Sequence, residues 1–161
     1  MSVQSQRSFT IRRADSSDGQ AILACLASAF APYRDSYTPA AFTHTVLDPE
    51  LVQHRLREMC IFVAVSKEQV VGTLAWVARG DDEGHLRGMA VLPEWQGTGF
   101  ASALLEAAEA EIRNQHRKRV TLSTVEPLTR AMRFYEGHGF TRSGQVRDFF
   151  GMPLYEWVKL L

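Results

Sequence analysis

The sequence predicts an α/β fold, with a mixed central sheet of about seven strands and helices on both of its faces. Two observations lead to this prediction. Short apolar runs rich in β-branched residues alternate with longer segments whose apolar residues recur at helical spacing. Their order is strand, two helices, three strands, helix, strand, helix and two strands. The length of 161 residues suits one domain over 1–161, whose polar residues 1–8 we expect to be flexible.

The predicted elements follow one another without a repeat or a linker. Capping residues, prolines and the hydrophobic periods indicate where they begin and end. In chain order they are a strand over 9–14, a helix over 19–30, a loop over 32–39, a helix near 49–58, strands over 60–65, 69–78 and 85–92, a helix over 99–114, a strand over 120–125, a helix opened by Pro127 and closed by Gly139, and strands near 141–146 and 154–160. Glu109 and Arg113 are expected to form an ion pair on the solvent-exposed face of their helix.

The composition excludes several classes of protein. Lysine plus arginine (18) balance aspartate plus glutamate (18), whereas nucleic-acid and anionic-membrane partners normally require an excess of positive charge. No secretory signal or membrane-spanning run is evident, so we expect a cytoplasmic protein. Cys25 and Cys60 lack disulfide or metal spacing and predict buried free thiols. The five histidines are scattered, and we predict no metal.

A glycine turn between a strand and an amphipathic helix carries the strongest functional signal. Gly97 and Gly99 remove side chains that would keep a ligand away from the backbone. The N–H groups from Thr98 to Ser102 can therefore converge on an anion, and the positive end of the helix dipole adds to the attraction. The turn predicts a phosphate site.

Spacing separates three nucleotide-binding interpretations of this turn. A Walker loop requires Gly-Lys followed by Ser or Thr, which the sequence lacks. A dinucleotide fingerprint requires Gly or Ala where Ser102 stands, and an acidic residue ending the next strand. The third pattern is Gln or Arg, two residues, Gly, one residue, and Gly or Ala. Gln96, Gly99 and Ala101 meet it, and this turn resembles the pyrophosphate turn of the GNAT acetyltransferases.

Two flanking segments extend the resemblance to this superfamily. Residues 88–94 are similar to the family's fourth strand and its exit, and residues 131–140 resemble the segment in which a helical Tyr precedes a Gly-Phe pair. The element order agrees from Phe9 to the end of the chain. The resemblance implies the GNAT fold and an N-acetyltransferase with acetyl-CoA as co-substrate. One departure is Leu128, where many members carry an Asn that helps hold the pantetheine arm.

The resemblance assigns cofactor binding to the fourth strand and the glycine turn. Backbone N–H groups of the strand, beside a bulge that splays two parallel strands, would bind the pantetheine and the oxyanion. The residues so implied are Met89, Ala90, Val91, Gln96, Gly97, Thr98, Gly99, Phe100, Ala101, Ser102 and Tyr135. Tyr135 is also the candidate acid, because a phenol with a pKa of about 10 can protonate a thiolate. The alternative is that Tyr135 only packs its helix on the sheet.

His85 is the candidate base that deprotonates the amine. A histidine is mostly neutral at pH 7 and can accept a proton directly or through water. Its position resembles that of a histidine in the arylalkylamine-acetylating members of the family. The alternative is an exposed histidine without a role. Glu126 is a second candidate base, although it could equally be a carboxylate at a helix start.

The acceptor pocket is expected between the loop after the first helix and residues 148–151. Tyr33, Tyr37, Phe149 and Phe150 could face an apolar or cationic amine, and Asp35 or Asp148 could attract its charge. We therefore predict direct transfer to a small-molecule amine. A protein lysine or N-terminal acetyltransferase and a non-catalytic acyl-CoA-binding module remain alternatives. A homodimer is implied by resemblance alone.

Overall fold

The computed structural model describes residues 9–161, and the flexibility expected for residues 1–8 lies outside that range. Within it, the chain forms seven strands and five α-helices. The strands are β1 (Phe9–Arg13), β2 (Cys60–Ser66), β3 (Gln69–Arg79), β4 (Glu83–Val91), β5 (Arg119–Thr124), β6 (Thr141–Phe149) and β7 (Met152–Leu160); the helices are α1 (Gly19–Phe30), α2 (Pro39–Val46), α3 (Pro49–Glu58), α4 (Phe100–Asn114) and α5 (Thr129–Gly137).

The seven strands form one mixed sheet, as the sequence predicts, and their order in the sheet is β1-β2-β3-β4-β5-β7-β6. Every neighbouring pair is antiparallel except β4 and β5, which run parallel. Their paired register extends only from Glu83 opposite Arg119 to His85 opposite Thr121. Beyond these residues the ladder between the two strands ends. A cleft therefore opens in the middle of the sheet, at the exit of β4.

Helix α4 covers one face of the sheet very closely. A Cβ atom on Gly84 would lie 2.6 Å from the Ile112 side chain, and one on Gly72 would lie 3.0 Å from that of Leu104. Both helix residues are completely buried. Helix α1 packs with α2 and α3 and contacts β3 and β4. Since successive strand residues alternate between faces, His85 and Arg87 point away from the face that Gly84 presents to α4.

Helix α2 begins at Pro39, the last residue of the predicted loop, and occupies a stretch before α3 for which the sequence predicts no element. The Thr38 hydroxyl accepts a hydrogen bond from the Ala41 N–H, and Pro39 occupies the first turn of the helix. Both features are typical of a helix start, but the surrounding prolines and aromatic residues obscure them. The helix is stabilised by a second apolar cluster that includes Tyr37, Phe42 and Met152. This contact between distant segments is not visible in the local sequence.

Two local predictions about helices are wrong. Glu109 is buried, and Lys159 Nζ lies 2.8 Å from its carboxylate. Glu109 therefore does not pair with Arg113 on the solvent-exposed face of α4. A cation on β7 outweighs the helical neighbour because it neutralises the carboxylate inside the protein. Helix α5 begins at Thr129, so Pro127 lies in the preceding turn instead of opening the helix.

The two cysteines agree with the sequence analysis. Cys25 and Cys60 are free and buried. Among residues 9–161, no helix combines the length and the apolar character needed to cross a membrane. The same part of the chain holds no cluster of His, Cys, Asp or Glu arranged to bind a metal ion.

Candidate active site

A cavity of about 670 Å³ occupies the cleft between β4 and β5. Its wall includes residues from the exit of β4, the start of α4, helix α5 and the β6–β7 hairpin, together with residues of α1 and α3. Its volume lies in the range of small-molecule sites. The cavity also joins the glycine turn to both candidate catalytic residues, His85 and Tyr135.

The bulge expected in β4 centres on Gly88. The segment from Thr73 to Ala75 on β3 pairs with the longer segment from Arg87 to Ala90 on β4. Gly88 has a φ of 63°, a conformation that favours glycine. The bulge re-aims the backbone of Met89 and Ala90 where β5 has left the ladder. Backbone groups at this point can therefore bind a ligand instead of a neighbouring strand.

The glycine turn forms the other end of the cleft. Gly97 and Gly99 have φ values of 77° and 92°, and Gly99 precedes the first residue of α4. No side chain caps this helix, so its first N–H groups remain available for a ligand. Phe100 is buried in the core and Thr98 donates its hydroxyl hydrogen bond to the Trp95 carbonyl. Unlike the other predicted cofactor-binding residues, these two do not line the cavity.

Arg130 adds a positive charge to this end of the cavity, a role that the sequence did not indicate. Its Nη1 atom donates to Gln96 Oε1 at 3.0 Å, and Gln96 Nε2 donates to the Val91 carbonyl at 3.1 Å. Gln96 thereby connects the turn to β4 and to the start of α5. In the sequence, Arg130 is only a cation near the start of a predicted helix, and this position gives no indication that Gln96 is its partner.

Ser102 and His138 form a further polar pair in the cavity wall. The His138 Nδ1 atom lies 2.8 Å from the Phe134 carbonyl, which can only accept, so Nδ1 carries the proton. Its Nε2 atom then accepts a hydrogen bond from the Ser102 hydroxyl at 3.0 Å. The pair joins the first turn of α4 to the end of α5 and fixes the direction of the Ser102 side chain.

Tyr135 lies on α5 and points toward the bulge. It is buried, and its hydroxyl lies 3.5 Å from the sulfur of Met89. Burial raises the pKa of Tyr135 above its ordinary value, because the phenolate would lose its hydration. The phenol therefore keeps its proton throughout the neutral pH range. It is available as a donor at the point where the β4 backbone is re-aimed.

His85 is buried, not exposed, and it begins a hydrogen-bonded chain. Its Nδ1 atom lies 2.8 Å from the Thr121 hydroxyl, and that hydroxyl lies 2.8 Å from a carboxylate oxygen of Glu83. Because the carboxylate can only accept, Thr121 donates to Glu83 and must accept from Nδ1. The Nε2 atom of His85 is left as the acceptor. The sequence does not reveal Thr121 and Glu83 as partners of His85, since only the parallel pairing of β4 and β5 brings the three together.

The environment of His85 keeps its ring neutral. Burial, followed by the positive charges of Arg79, Arg87 and Arg147, lowers the pKa of His85 to about 3. The ring can thus accept a hydrogen bond at any physiological pH, although it holds an added proton weakly in this state.

The predicted acceptor residues have different positions. Tyr33, Tyr37 and Phe149 line the cavity, and Tyr37 is also part of the second apolar cluster. Phe150 does not line it: its ring stacks on His44 with the centroids 4.3 Å apart, and it is 48% exposed. The hairpin turn between β6 and β7 reverses the chain at this point and carries the Phe150 side chain outward.

The charged side chains that line the cavity also differ from expectation. Glu126, Asp35 and Asp148 are exposed and are not part of its wall. Arginines from α3, β3, β4 and β6 line the wall instead, together with Glu156. Leu128, which replaces the usual Asn, is partly buried and packs against the second apolar cluster. It contributes apolar surface to the cavity rather than a hydrogen bond.

Comparisons with known proteins agree with this arrangement. Residues 24–140 match the model of the acetyltransferase (GNAT) family. N-acetylaspartate synthetase from Danio rerio is 34% identical over 116 residues, which cover 71% of this chain and 41% of that protein. N-alpha-acetyltransferase 30 from Schizosaccharomyces pombe is 31% identical over 93 residues, which cover 55% of this chain and 62% of that protein. The matched segments thus cover less than two thirds of each of these relatives.

A solved structure supports the fold over almost the whole chain. The PaiA N-acetyltransferase from Thermoplasma acidophilum, in complex with coenzyme A, superposes with a TM-score of 0.79 at 15% identity. The superposition covers 96% of this chain and 99% of that one. With the open β4–β5 cleft, the glycine turn and the family match over residues 24–140, the conclusion is plain: the chain belongs to the acetyltransferase (GNAT) family.

Proposed function

We propose that this protein transfers an acetyl group from acetyl-CoA to the primary amine of a small molecule, by direct attack within a ternary complex. The observation that carries the proposal is the continuous cavity that joins the glycine turn to Tyr135 and His85. An anion site, a protonated donor and a neutral acceptor are the groups that this reaction requires.

The residues along the cleft fit coenzyme A. The uncapped start of α4, the two positive-φ glycines and Arg130 would hold the diphosphate. The backbone from Met89 to Val91 would bind the pantetheine amides, since β5 no longer pairs with it. Acetyl-CoA supplies the acyl group as a thioester. The re-aimed N–H groups beside Gly88 would stabilise the negative charge that develops on the carbonyl oxygen.

Tyr135 and His85 would divide the proton transfers between them. Tyr135 keeps its proton at neutral pH and would donate it to the leaving sulfur. His85 would accept a proton from the amine at Nε2, because Nδ1 is bound to Thr121. An acyl-enzyme on cysteine is disfavoured, since burial raises the pKa of Cys25 to about 12 and that of Cys60 to about 11.

Contacts around α2 support a small acceptor. The Thr38 hydroxyl donates to the Phe150 carbonyl at 2.8 Å, and His44 stacks on the Phe150 ring. These contacts fasten the β6–β7 turn to α2, whose His44 lines the cavity, and would restrict the room for a long peptide beside it. The relative from Danio rerio is named as the synthetase of a small acetylated amino acid.

Transfer to a protein N-terminus is the second candidate function. The similarity to N-alpha-acetyltransferase 30 favours it, at 31% identity over 93 residues. It requires the acceptor end to admit several residues of a peptide. Amine acceptors and short peptides compared at equal concentration separate the two functions.

Thiol release from acetyl-CoA in the presence of an amine panel tests the proposal. We expect turnover with small amines and a fall in kcat of about 100-fold in Tyr135→Phe, with the affinity for CoA retained. Tyr155→Phe is the matched control, because Tyr155 lies on β7 outside the cavity wall, and it should keep the wild-type kcat. Binding of CoA without turnover of any amine would instead indicate a non-catalytic acyl-CoA-binding module.

A further inference from the structure

Four arginines from four elements line the acceptor end of the cavity. Arg55 comes from α3, Arg79 from β3, Arg87 from β4 and Arg147 from β6. Glu156 is the one carboxylate in the wall among residues 9–161. The whole chain has no net charge, so this local excess of positive charge arises from the fold.

Most of these guanidinium groups have no anionic partner. Arg79 approaches Glu83 at 4.0 Å. Within the described part of the chain, Arg55, Arg87 and Arg147 form neither a salt bridge nor a side-chain hydrogen bond. A single unpaired arginine on a surface is ordinary. Several unpaired arginines directed at one cavity repel each other, and an anion in that cavity would relieve the repulsion.

Arg55 shows most clearly where such an anion would bind. Its side chain is half-buried, and its Nη1 atom lies 2.8 Å from the position that a Cβ on Gly88 would occupy. The guanidinium group therefore lies directly against the bulge in β4. Burial and the charge of Arg87 lower the pKa of Arg55 to about 10. A half-buried cation without an anionic partner destabilises the protein while the site is empty. A bound anion would offset this cost, which indicates a functional role for Arg55.

The arginines lie away from the phosphate end of the cleft. The glycine turn follows the C-terminal end of β4, and Arg130 supplies its positive charge. Arg79 and Arg87 flank His85 on the opposite side of the Gly88 bulge, in the paired part of β3 and β4. Along β4 and its exit, the order is thus Arg87, the Gly88 bulge and the glycine turn. The cluster belongs to the side from which the amine would attack.

We infer that the acceptor is a free amino acid with two carboxylates. These carboxylates bind to Arg55 and Arg87, and Arg147 lies at the rim of the cavity. The inference rests on the proposed acetyltransferase function and specifies its substrate class. Paired guanidinium groups recognise carboxylates through charge-assisted, bidentate hydrogen bonds. It replaces the expectation of an apolar or cationic amine, because Asp35 and Asp148 lie outside the cavity wall.

A matched substrate series tests the inference. L-Aspartate carries two carboxylates, L-asparagine carries one, and aspartic diamide carries none, while the amine remains in place. We expect kcat/KM to fall at least tenfold at each step. A peptide amide that begins with aspartate, and has no other acidic residue, keeps only the side-chain carboxylate, and it should also be acetylated at least tenfold more slowly than the free amino acid. An equal or faster reaction with the diamide or the peptide overturns the inference.

Variants on α3 provide the second test. Arg55→Gln should reduce the preference for aspartate over its diamide at least tenfold, and Arg55→Lys should restore part of it. Arg57→Gln is the matched control, because Arg57 is exposed on the same helix and outside the cavity wall. The affinity of each variant for CoA is measured by calorimetry. A loss of CoA affinity in Arg55→Gln equal to the loss of preference would assign the arginine to the cofactor and overturn the inference.

The design separates this inference from the proposed function. If acetyl-CoA is not bound and no amine is acetylated, the proposed function itself fails. If neutral amines are acetylated and carboxylates are not preferred, only the substrate class fails. Titration of the protein–CoA complex with aspartate and with its diamide gives a binding readout independent of turnover, and weaker binding of aspartate contradicts the inference.

Discussion

At the scale of single residues, the chain from His85 through Thr121 to Glu83 determines which nitrogen of the histidine can act. The carboxylate accepts from Thr121 and also from Arg119 Nε at 3.1 Å, which keeps Glu83 in place. The proton of His85 therefore stays on Nδ1, and Nε2 is the acceptor. Thr121 acts on the reaction through His85 and is a positioning residue.

Replacing Thr121 with valine should remove this control over the tautomer. The buried His85 and the partly buried Glu83 would each lose a partner, and we expect a loss of about 1–3 kcal/mol in the free energy of unfolding. We also expect a lower kcat and a changed pH profile of kcat. Thr73→Val is the matched control, because Thr73 is equally buried and hydrogen-bonds to the Phe62 carbonyl away from the cavity. An unchanged pH profile in Thr121→Val would contradict the assigned role.

His85 should also make the stability of the protein depend on pH. Its pKa falls from 6.5 to about 3 on folding, so between these values the unfolded chain binds more protons than the folded one. Stability is therefore lost as the pH falls through this window. Lowering the pH from 7 to 5 should cost about 2 kcal/mol.

Urea unfolding at the two pH values measures this dependence. The variant His85→Gln has no ring to protonate and should lack this part of the loss. Asp18 does not interfere, because its hydrogen bonds with Arg12 hold its pKa below 3.8. If His85→Gln loses as much stability as the wild type, the ring is not the source of the pH dependence.

At the scale of elements, the junction between β4 and α4 is where the sequence was most informative. Gly99 has a φ of 92°, and a Cβ added there would meet nothing within 4 Å. Gly99→Ala therefore strains the backbone without a steric clash. We expect a loss of about 1 kcal/mol in stability and a weaker affinity for CoA, because the N–H groups would turn away from the ligand.

Calorimetry with CoA and urea unfolding measure the two effects. Gly137→Ala is the matched control, since Gly137 lies in α5 with an ordinary φ and equally open space. It should keep its CoA affinity and its stability, or become slightly more stable. Wild-type affinity in Gly99→Ala would show that the backbone of this turn does not bind the cofactor.

At the scale of the whole molecule, a buried ion pair connects helix α4 to strand β7. Glu109 on α4 and Lys159 on β7 are 50 residues apart in sequence, and their charged atoms lie 2.8 Å apart. Lys159→Met would leave a buried carboxylate without a partner. We expect a loss of about 3 kcal/mol in the free energy of unfolding, partly recovered by adding Glu109→Gln.

The exposed pair on the same helix is the control for this measurement. Arg13 Nη1 lies 3.7 Å from Glu111 Oε1, and the Arg13 side chain is 65% exposed. Arg13→Met should change the stability by less than about 1 kcal/mol in the same urea titration. Equal losses in the two variants would mean that the Glu109–Lys159 pair is not stabilising through its burial.

The sequence by itself determined the features that depend on neighbouring residues. Hydrophobic periods predicted the strands and four of the helices, and the glycine spacing predicted the turn after β4. These features are local, because a period or a positive-φ glycine is set within a few residues. The placement of the predicted cofactor and catalytic residues in the reaction remains a prediction for the experiments above.

Only the tertiary structure decided which distant side chains share one environment. It buried His85 beside Thr121, paired Glu109 with Lys159, and gathered Arg55, Arg87 and Arg147 at one end of the cavity. Composition could not reveal that cluster, because 18 positive and 18 negative residues cancel when they are only counted. Electrostatic energy depends on distance and burial, and the fold fixes both.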